Sequence, residues 1–173
     1  MVALELACRE HGGIRLLTEE ELQPTGTKNK LFRWKVNLQS GLKLSVVPDR
    51  VFALEFQNKD GKMERAYFFL EADRGTMPVI RRGFSQSSFY RKLLAYEATW
   101  SQGIHSKRFG FHRFRVLTVT TSAARVKSLV NACSRLKQGH GLFLFADRTV
   151  LEKPGDVFSA VWKTLKTNVK MLE

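Results

Sequence analysis

The stretch YFFLEADRGT, Tyr67 to Thr76, decides how this chain is read. Its first half is as apolar as a strand covered on both faces, and it ends in two carboxylates followed at once by an arginine and a glycine. Side chains alternate along a strand, so Tyr67, Phe69, Glu71 and Asp73 point one way while Phe68, Leu70 and Ala72 point the other. Two acids therefore leave one face together, at the end of a buried strand. Burying unpaired carboxylates is costly, so the sequence predicts that something meets them: a metal ion, a lysine or arginine, or water if the strand end is open.

Working outward, Asp60-Gly61 is a hairpin signal that returns the chain from LKLSVVPDRVFALEF. In that segment Leu42, Leu44 and Val46 share a side, and Pro48, which cannot donate to a ladder, marks a bulge or a strand break just before Asp49. KLFRWKVNL, closing on a turn at Ser40-Gly41, adds a strand to the meander. A polar segment with Pro24 and Gly26 separates it from a first short helix over residues 2–11, where Val2, Leu4, Leu6 and Ala7 cluster before the stop at Gly12-Gly13.

Beyond Ser85 the period changes. Phe89, Leu93, Tyr96 and Trp100 recur as the stripe of an amphipathic helix, with serines ahead of it as N-cap. FRVLTVTTS, residues 114–122, reads as a strand, SAARVKSLVNACSRLKQG as a helix stopped by Gly139, and GLFLFAD as a short apolar strand ending at Asp147. The C-terminal DVFSAVWKTLKTNVKMLE places Val157, Val161 and Leu165 at helical spacing among Lys163, Lys166 and Lys170, and predicts a short helix closing the sheet edge. The fold class is α/β (α+β): one domain over residues 1–173, with a helix, a strand meander and a helix-strand-helix-strand succession around a central mixed sheet.

The charge balance narrows the partner. Lys and Arg number 29 against 16 Asp and Glu, a formal charge of +13, which points to a polyanion and first of all to DNA. Cys8 and Cys133 make no disulfide framework and read as reduced residues of a cytoplasmic protein, with no membrane partner expected. The histidines at 11, 105, 112 and 140 lack zinc-ligand spacing. Trp34, Trp100 and Trp162 read as core, with base stacking as the functional alternative.

The charged groups then suggest a site. Asp49, Glu71 and Asp73 on adjacent strands make a candidate Mg²⁺ or Mn²⁺ site, because Mg²⁺ takes one or two carboxylates plus water and phosphate oxygens. Lys92 and Tyr96 share one face of the following helix, and Lys92 is the candidate cation beside a transition-state phosphate. Arg74, Arg81, Arg82 and Arg91, with Lys92 and Tyr96, are the expected DNA-binding side chains. Tyr90 or Tyr96 as a nucleophile is a weaker reading, since both fit the helical core stripe.

Pro48-Asp49, a hairpin, Glu71-Ala72-Asp73 on an apolar strand and a helix with Lys92 resemble the PD-(D/E)xK nuclease superfamily. More closely, VPDRVFALEF, AYFFLEADRGTMPVIRR, SFYRKLLAYEATW and FRVLTVTTS are similar to the replication-relaxation family of plasmids and integrative elements, over about Leu42 to Asp147. The resemblance implies a restriction-endonuclease-like domain, here without the family's usual N-terminal winged helix-turn-helix. It also implies a metal-dependent nickase acting with other replication or transfer proteins. By position Asp49 and Glu71 match the metal-binding acids of the superfamily. The lysine expected two residues after the second acid is Asp73 here, with Lys92 as its substitute; without that substitution the fold would bind DNA and leave it uncut.

Overall fold

The computed structural model describes residues 1–23, 31–38, 40–82, 87–152 and 157–172. Helix α1 (Val2–His11) ends where Gly12 adopts a left-handed conformation, φ 55°, which a glycine reaches at little cost. Strand β1 (Ile14–Leu17), the short α2 (Glu19–Leu22), β2 (Trp34–Asn37), β3 (Lys43–Val46), β4 (Arg50–Gln57) and β5 (Met63–Ala72) follow. Then come α3 (Phe89–Ser101), α4 (Ile104–Phe109), β6 (Arg115–Thr120), α5 (Ala123–Cys133), β7 (Phe143–Asp147), β8 (Trp162–Lys163) and β9 (Asn168–Val169).

Seven strands form one sheet in the order β1-β4-β5-β6-β7-β8-β9. The β4–β5 hairpin is antiparallel, β5, β6 and β7 run parallel, and β8 and β9 close the far edge antiparallel. The mixed α/β class is therefore as the sequence indicates. The parallel centre requires crossovers, which α3 and α5 supply. Strict alternation decides what each face buries. Val51, Phe69, Val116, Phe143 and Phe145 pack toward α3 and α5, while Phe52, Leu54, Phe68, Leu117 and Leu144 pack with Leu4 and Ala7 of α1 and with Trp162 and Met171. Each fully buried aromatic side chain is worth on the order of 2 kcal/mol of transfer free energy.

Several elements differ from the sequence reading. The segment around Pro48 is a true break: β3 and β4 belong to different sheets, because β2 and β3 form a separate two-stranded ribbon instead of joining the meander. Trp34, Val36, Leu44 and Val46 all lie at or below 5% exposure on the side of the ribbon that meets α3, and this burial pulls it off the main sheet. β1, α2 and α4 are too short to carry a detectable period. The C-terminal helix is absent from the described residues; Trp162 is buried, and the hydroxyl of Thr164 accepts from the Lys166 and Thr167 backbone N–H groups, turning the chain into the β8–β9 hairpin. Local Ser/Thr turn chemistry beats the helical spacing of Val157, Val161 and Leu165 there. The expected features at Pro24, Gly26 and Ser85 lie outside the described residues.

Candidate functional site

The carboxyl ends of parallel strands are where open α/β sheets collect functional groups, and β5 carries Glu71 there as its next-to-last residue. Antiparallel pairing of Arg50 with Leu70 sets Asp49 at the same end. The backbone N–H of Ala72 donates to Asp49 Oδ2 at 2.8 Å and that of Asp49 to the Leu70 carbonyl at 3.1 Å, so the broken strand at Pro48 delivers Asp49 against the end of β5.

Glu71 is 2% exposed. Its Oε1 accepts from the Tyr96 hydroxyl at 2.6 Å and its Oε2 from the Lys92 ammonium, both side chains projecting from α3. Burial pushes the Glu71 carboxyl above the usual range, beyond what Lys92 and Tyr96 pull back, and Asp49 adds to the rise. Tyr96 is fully buried; burial, and then the neighbouring Glu71 charge, hold its phenol well above its ordinary value, so it is a hydrogen-bond donor. Lys92 keeps 36% of its side-chain surface in solvent.

Asp73 has a different partner. Arg125, in the first turn of α5, donates from Nε to Asp73 Oδ2 at 2.8 Å and from Nη2 to Oδ1 at 3.1 Å, while the Thr120 hydroxyl donates to Oδ2 at 2.7 Å. Gly75, at φ +75°, turns its N–H back to Asp73 Oδ1 at 3.2 Å, and a side chain there would press on Thr121. Burial raises the Asp73 carboxyl, but Arg125, Thr120 and the Gly75 N–H together outweigh it and hold it below the usual range.

Glu71 is thus buried and Asp73 partly buried, and each meets a cation of its own. The expected three-acid ligand set does not assemble: among the described residues no group of three His, Cys, Asp or Glu side chains is placed to hold a metal ion. Arg125 takes both oxygens of Asp73, while Asp49 lies close enough to Glu71 to raise its carboxyl further. Arg74, directly after Asp73, and Arg82 are exposed, Arg81 donates to the Ser87 carbonyl at 3.1 Å, and Arg91 is partly buried beside Lys92 on α3. Tyr90 donates to the Arg135 carbonyl at 3.2 Å, away from Glu71.

Sequence reasoning missed Arg125, Thr120 and Thr118. One signal was present for Arg125: a cation in a helix first turn opposes the macrodipole and needs a compensating partner. Thr118 lies opposite Glu71 in the β5–β6 register, and its buried Oγ1 has no hydrogen-bond partner among the described residues. Of the three tryptophans, Trp34 and Trp162 are core, whereas Trp100 is 38% exposed. Cys133 is fully buried and its thiol is pushed up to about 12 by burial, so it stays an inert thiol.

A mixed sheet carrying a buried carboxylate with a lysine and a tyrosine at its parallel end defines a polar site on an α/β scaffold. The family model for replication-relaxation matches residues 2–113, well over half of the chain, and the chain belongs to that family. The match covers the Asp49, Glu71 and Lys92 corner and stops before β6, earlier than the resemblance over Leu42 to Asp147, while reaching further toward the N-terminus. Comparison with curated proteins and with solved structures finds no match. Membership suggests a role in replication and relaxation of mobile elements. No described helix is long and apolar enough to cross a membrane.

Proposed function

We propose that the protein binds DNA and nicks it in a metal-assisted reaction during replication or transfer of a mobile element, with Asp49, Glu71 and Lys92 as the reacting corner. The observation that carries this reading is the Lys92 ammonium on the Glu71 carboxylate, from a helix 21 positions along the chain, beside Asp49. A lysine supplied by the helix is what a nuclease-like site needs when Asp73 occupies the usual lysine position. It favours membership of the PD-(D/E)xK superfamily.

In this reading Asp49 and Glu71 would hold one divalent ion, Mg²⁺ or Mn²⁺, completed by water and phosphate oxygens and without Asp73, with Glu71 exchanging a present hydrogen bond for the metal. Such an ion would supply Lewis-acid stabilisation of charge on a scissile phosphate. The chain's own groups do the rest. Tyr96 fixes the rotamer of Glu71, Asp49 is held to the strand end by the Ala72 N–H, and Lys92, partly in solvent, meets an incoming phosphate with a positive charge. The exposed Arg74 and Arg82 and the net charge of +13 support contacts to the DNA backbone.

A second reading is favoured by one observation: both Glu71 oxygens are already bonded, to Lys92 and Tyr96. The cluster then serves as a polar lock in a non-catalytic DNA-binding accessory module. A supercoiled-plasmid nicking assay with Mg²⁺ or Mn²⁺ separates the two, run on wild type, Glu71→Gln and Lys92→Met alongside gel shifts. The nickase reading expects metal-dependent nicking that both variants lose by at least about a hundredfold while binding is kept. Binding without nicking by the wild-type protein, with its partner proteins and origin DNA supplied, selects the accessory module.

A further inference from the structure

The β2–β3 ribbon has two unlike faces. Inward, Trp34, Val36, Leu44 and Val46 are buried against α3. Outward, the alternating positions Lys35, Asn37, Lys43 and Ser45 are all exposed, and Arg33 extends the row. The register pairs Lys35 with Ser45 and Asn37 with Lys43, so each outward cross-strand pair couples one cation to one neutral hydrogen-bonding side chain. No acidic residue occurs anywhere between Lys28 and Pro48, and none of the ion pairs among the described residues uses Arg33, Lys35 or Lys43. The outward face is therefore purely cationic and polar.

The ribbon is also tied to the helical layer by hydrogen bonds. Arg108 of α4 donates to the Leu31 and Arg33 carbonyls, Gln102 donates to the Asn37 carbonyl at 2.7 Å, and the Trp34 indole donates to the Thr99 hydroxyl at 2.8 Å. Binding through it would pay little ordering cost. Its far end leads straight into the site: Val46 is followed by Val47, Pro48 and Asp49, a reach of about 10 Å at strand rise.

We propose that the β2–β3 ribbon inserts its outward face into the major groove of duplex DNA, Arg33, Lys35 and Lys43 contacting phosphates and Asn37 and Ser45 contacting base edges. This deepens the DNA-binding reading above and rests on it. A two-stranded ribbon fits the roughly 12 Å major groove of B-form DNA, whereas the major groove of A-form RNA is too narrow for side chains to read. Asparagine suits adenine N6 and N7, serine accepts several edges, and the lysines give charge complementarity without sequence information. The ribbon would then place one duplex across the reading surface and the Asp49–Glu71–Lys92 corner together.

The test is selection from a random duplex DNA pool followed by gel shifts over a salt series, with A-form duplex RNA of matched length as competitor. It compares wild type, Lys35→Gln/Lys43→Gln and Asn37→Ala, with melting temperatures confirming that the buried inner face is intact. Expected are a base preference for the wild-type protein and weak competition by RNA. The double variant should bind at least about tenfold more weakly, with the slope of log K against log salt reduced by about two. Asn37→Ala should keep that slope and relax the preference at one base-pair step. Should the double variant fold poorly, Lys35→Glu, a single exposed charge reversal, must weaken binding in its place. Unchanged affinity, slope and preference in the variants, or RNA binding as tight as DNA binding, overturns the ribbon proposal while leaving the nicking reading standing. Failure of the wild-type protein to bind any duplex overturns both.

Discussion

Glu71, near the end of β5, and Asp73, just past it, lie two residues apart, and their carboxyls are shifted in opposite directions, Glu71 in the more buried setting of the two. Asp73 meets a planar guanidinium in a bidentate fork with a threonine and a backbone N–H added, and these bonds outweigh burial. Glu71 meets a single ammonium on a flexible, partly solvated stem and a buried phenol, and burial wins. Arginine with five donors can satisfy a carboxylate completely; lysine as a point charge leaves it sensitive to desolvation. The Asp73 corner is built to stay ionised and pin β5 to α5. The Glu71 corner keeps a carboxylate and a partly exposed cation poised together, and that is where chemistry is expected.

The strongest way to break this contrast is Arg125→Ala. It strands a buried charge, and chemical denaturation should show a loss of about 3–5 kcal/mol, with Arg125→Lys restoring only part of it. Tyr96→Phe should follow, costing about 2 kcal/mol through the lost bond to Glu71 without creating a cavity. Lys92→Met should cost only about 1 kcal/mol, because the ammonium is already partly solvated and Glu71 can take up a proton. A Lys92→Met loss as large as that of Arg125→Ala would erase the distinction between the corners.

The pH dependence should have opposite signs. The folded-state value of Asp73 is lowered, so its contribution is present above the ordinary aspartate range and is lost as pH falls through the folded value. For Glu71 the folded-state value is raised, so stability is fully present below the ordinary glutamate range and declines as pH rises through the folded value. Denaturation curves of Asp73→Asn and Glu71→Gln over acid to neutral pH should diverge from wild type accordingly. The Asp73→Asn deficit should grow with pH, and the Glu71→Gln protein should gain relative to wild type as pH rises. Equal pH trends would show that the two carboxylates share one environment. The smallest effect expected is Thr118→Val, which removes an unpartnered hydroxyl next to Glu71 and should be neutral or gain up to about 1 kcal/mol in the same experiment.

The sequence by itself determined the strands that matter. Alternation in YFFLEAD put Glu71 on a buried face two residues before Asp73, Pro48 broke the chain before Asp49, and the helical stripe through Phe89 and Tyr96 turned Lys92 toward the same strand, because period and proline sterics act locally. Short elements escaped it: β1 and α2 have too few residues to show a period, and Thr164 and Thr167 turned an apparent helix into a hairpin. Tertiary structure alone decided who answers each acid. Arg125 reaches Asp73 across 52 positions because the parallel β5–β6 pairing carries the start of α5 to the end of β5, and no spacing rule encodes that meeting. It likewise decided that β2 and β3 stand apart as a ribbon, since burial of Trp34 against Phe69 and Tyr96 is a property of the assembled core and not of the segment KLFRWKVNL.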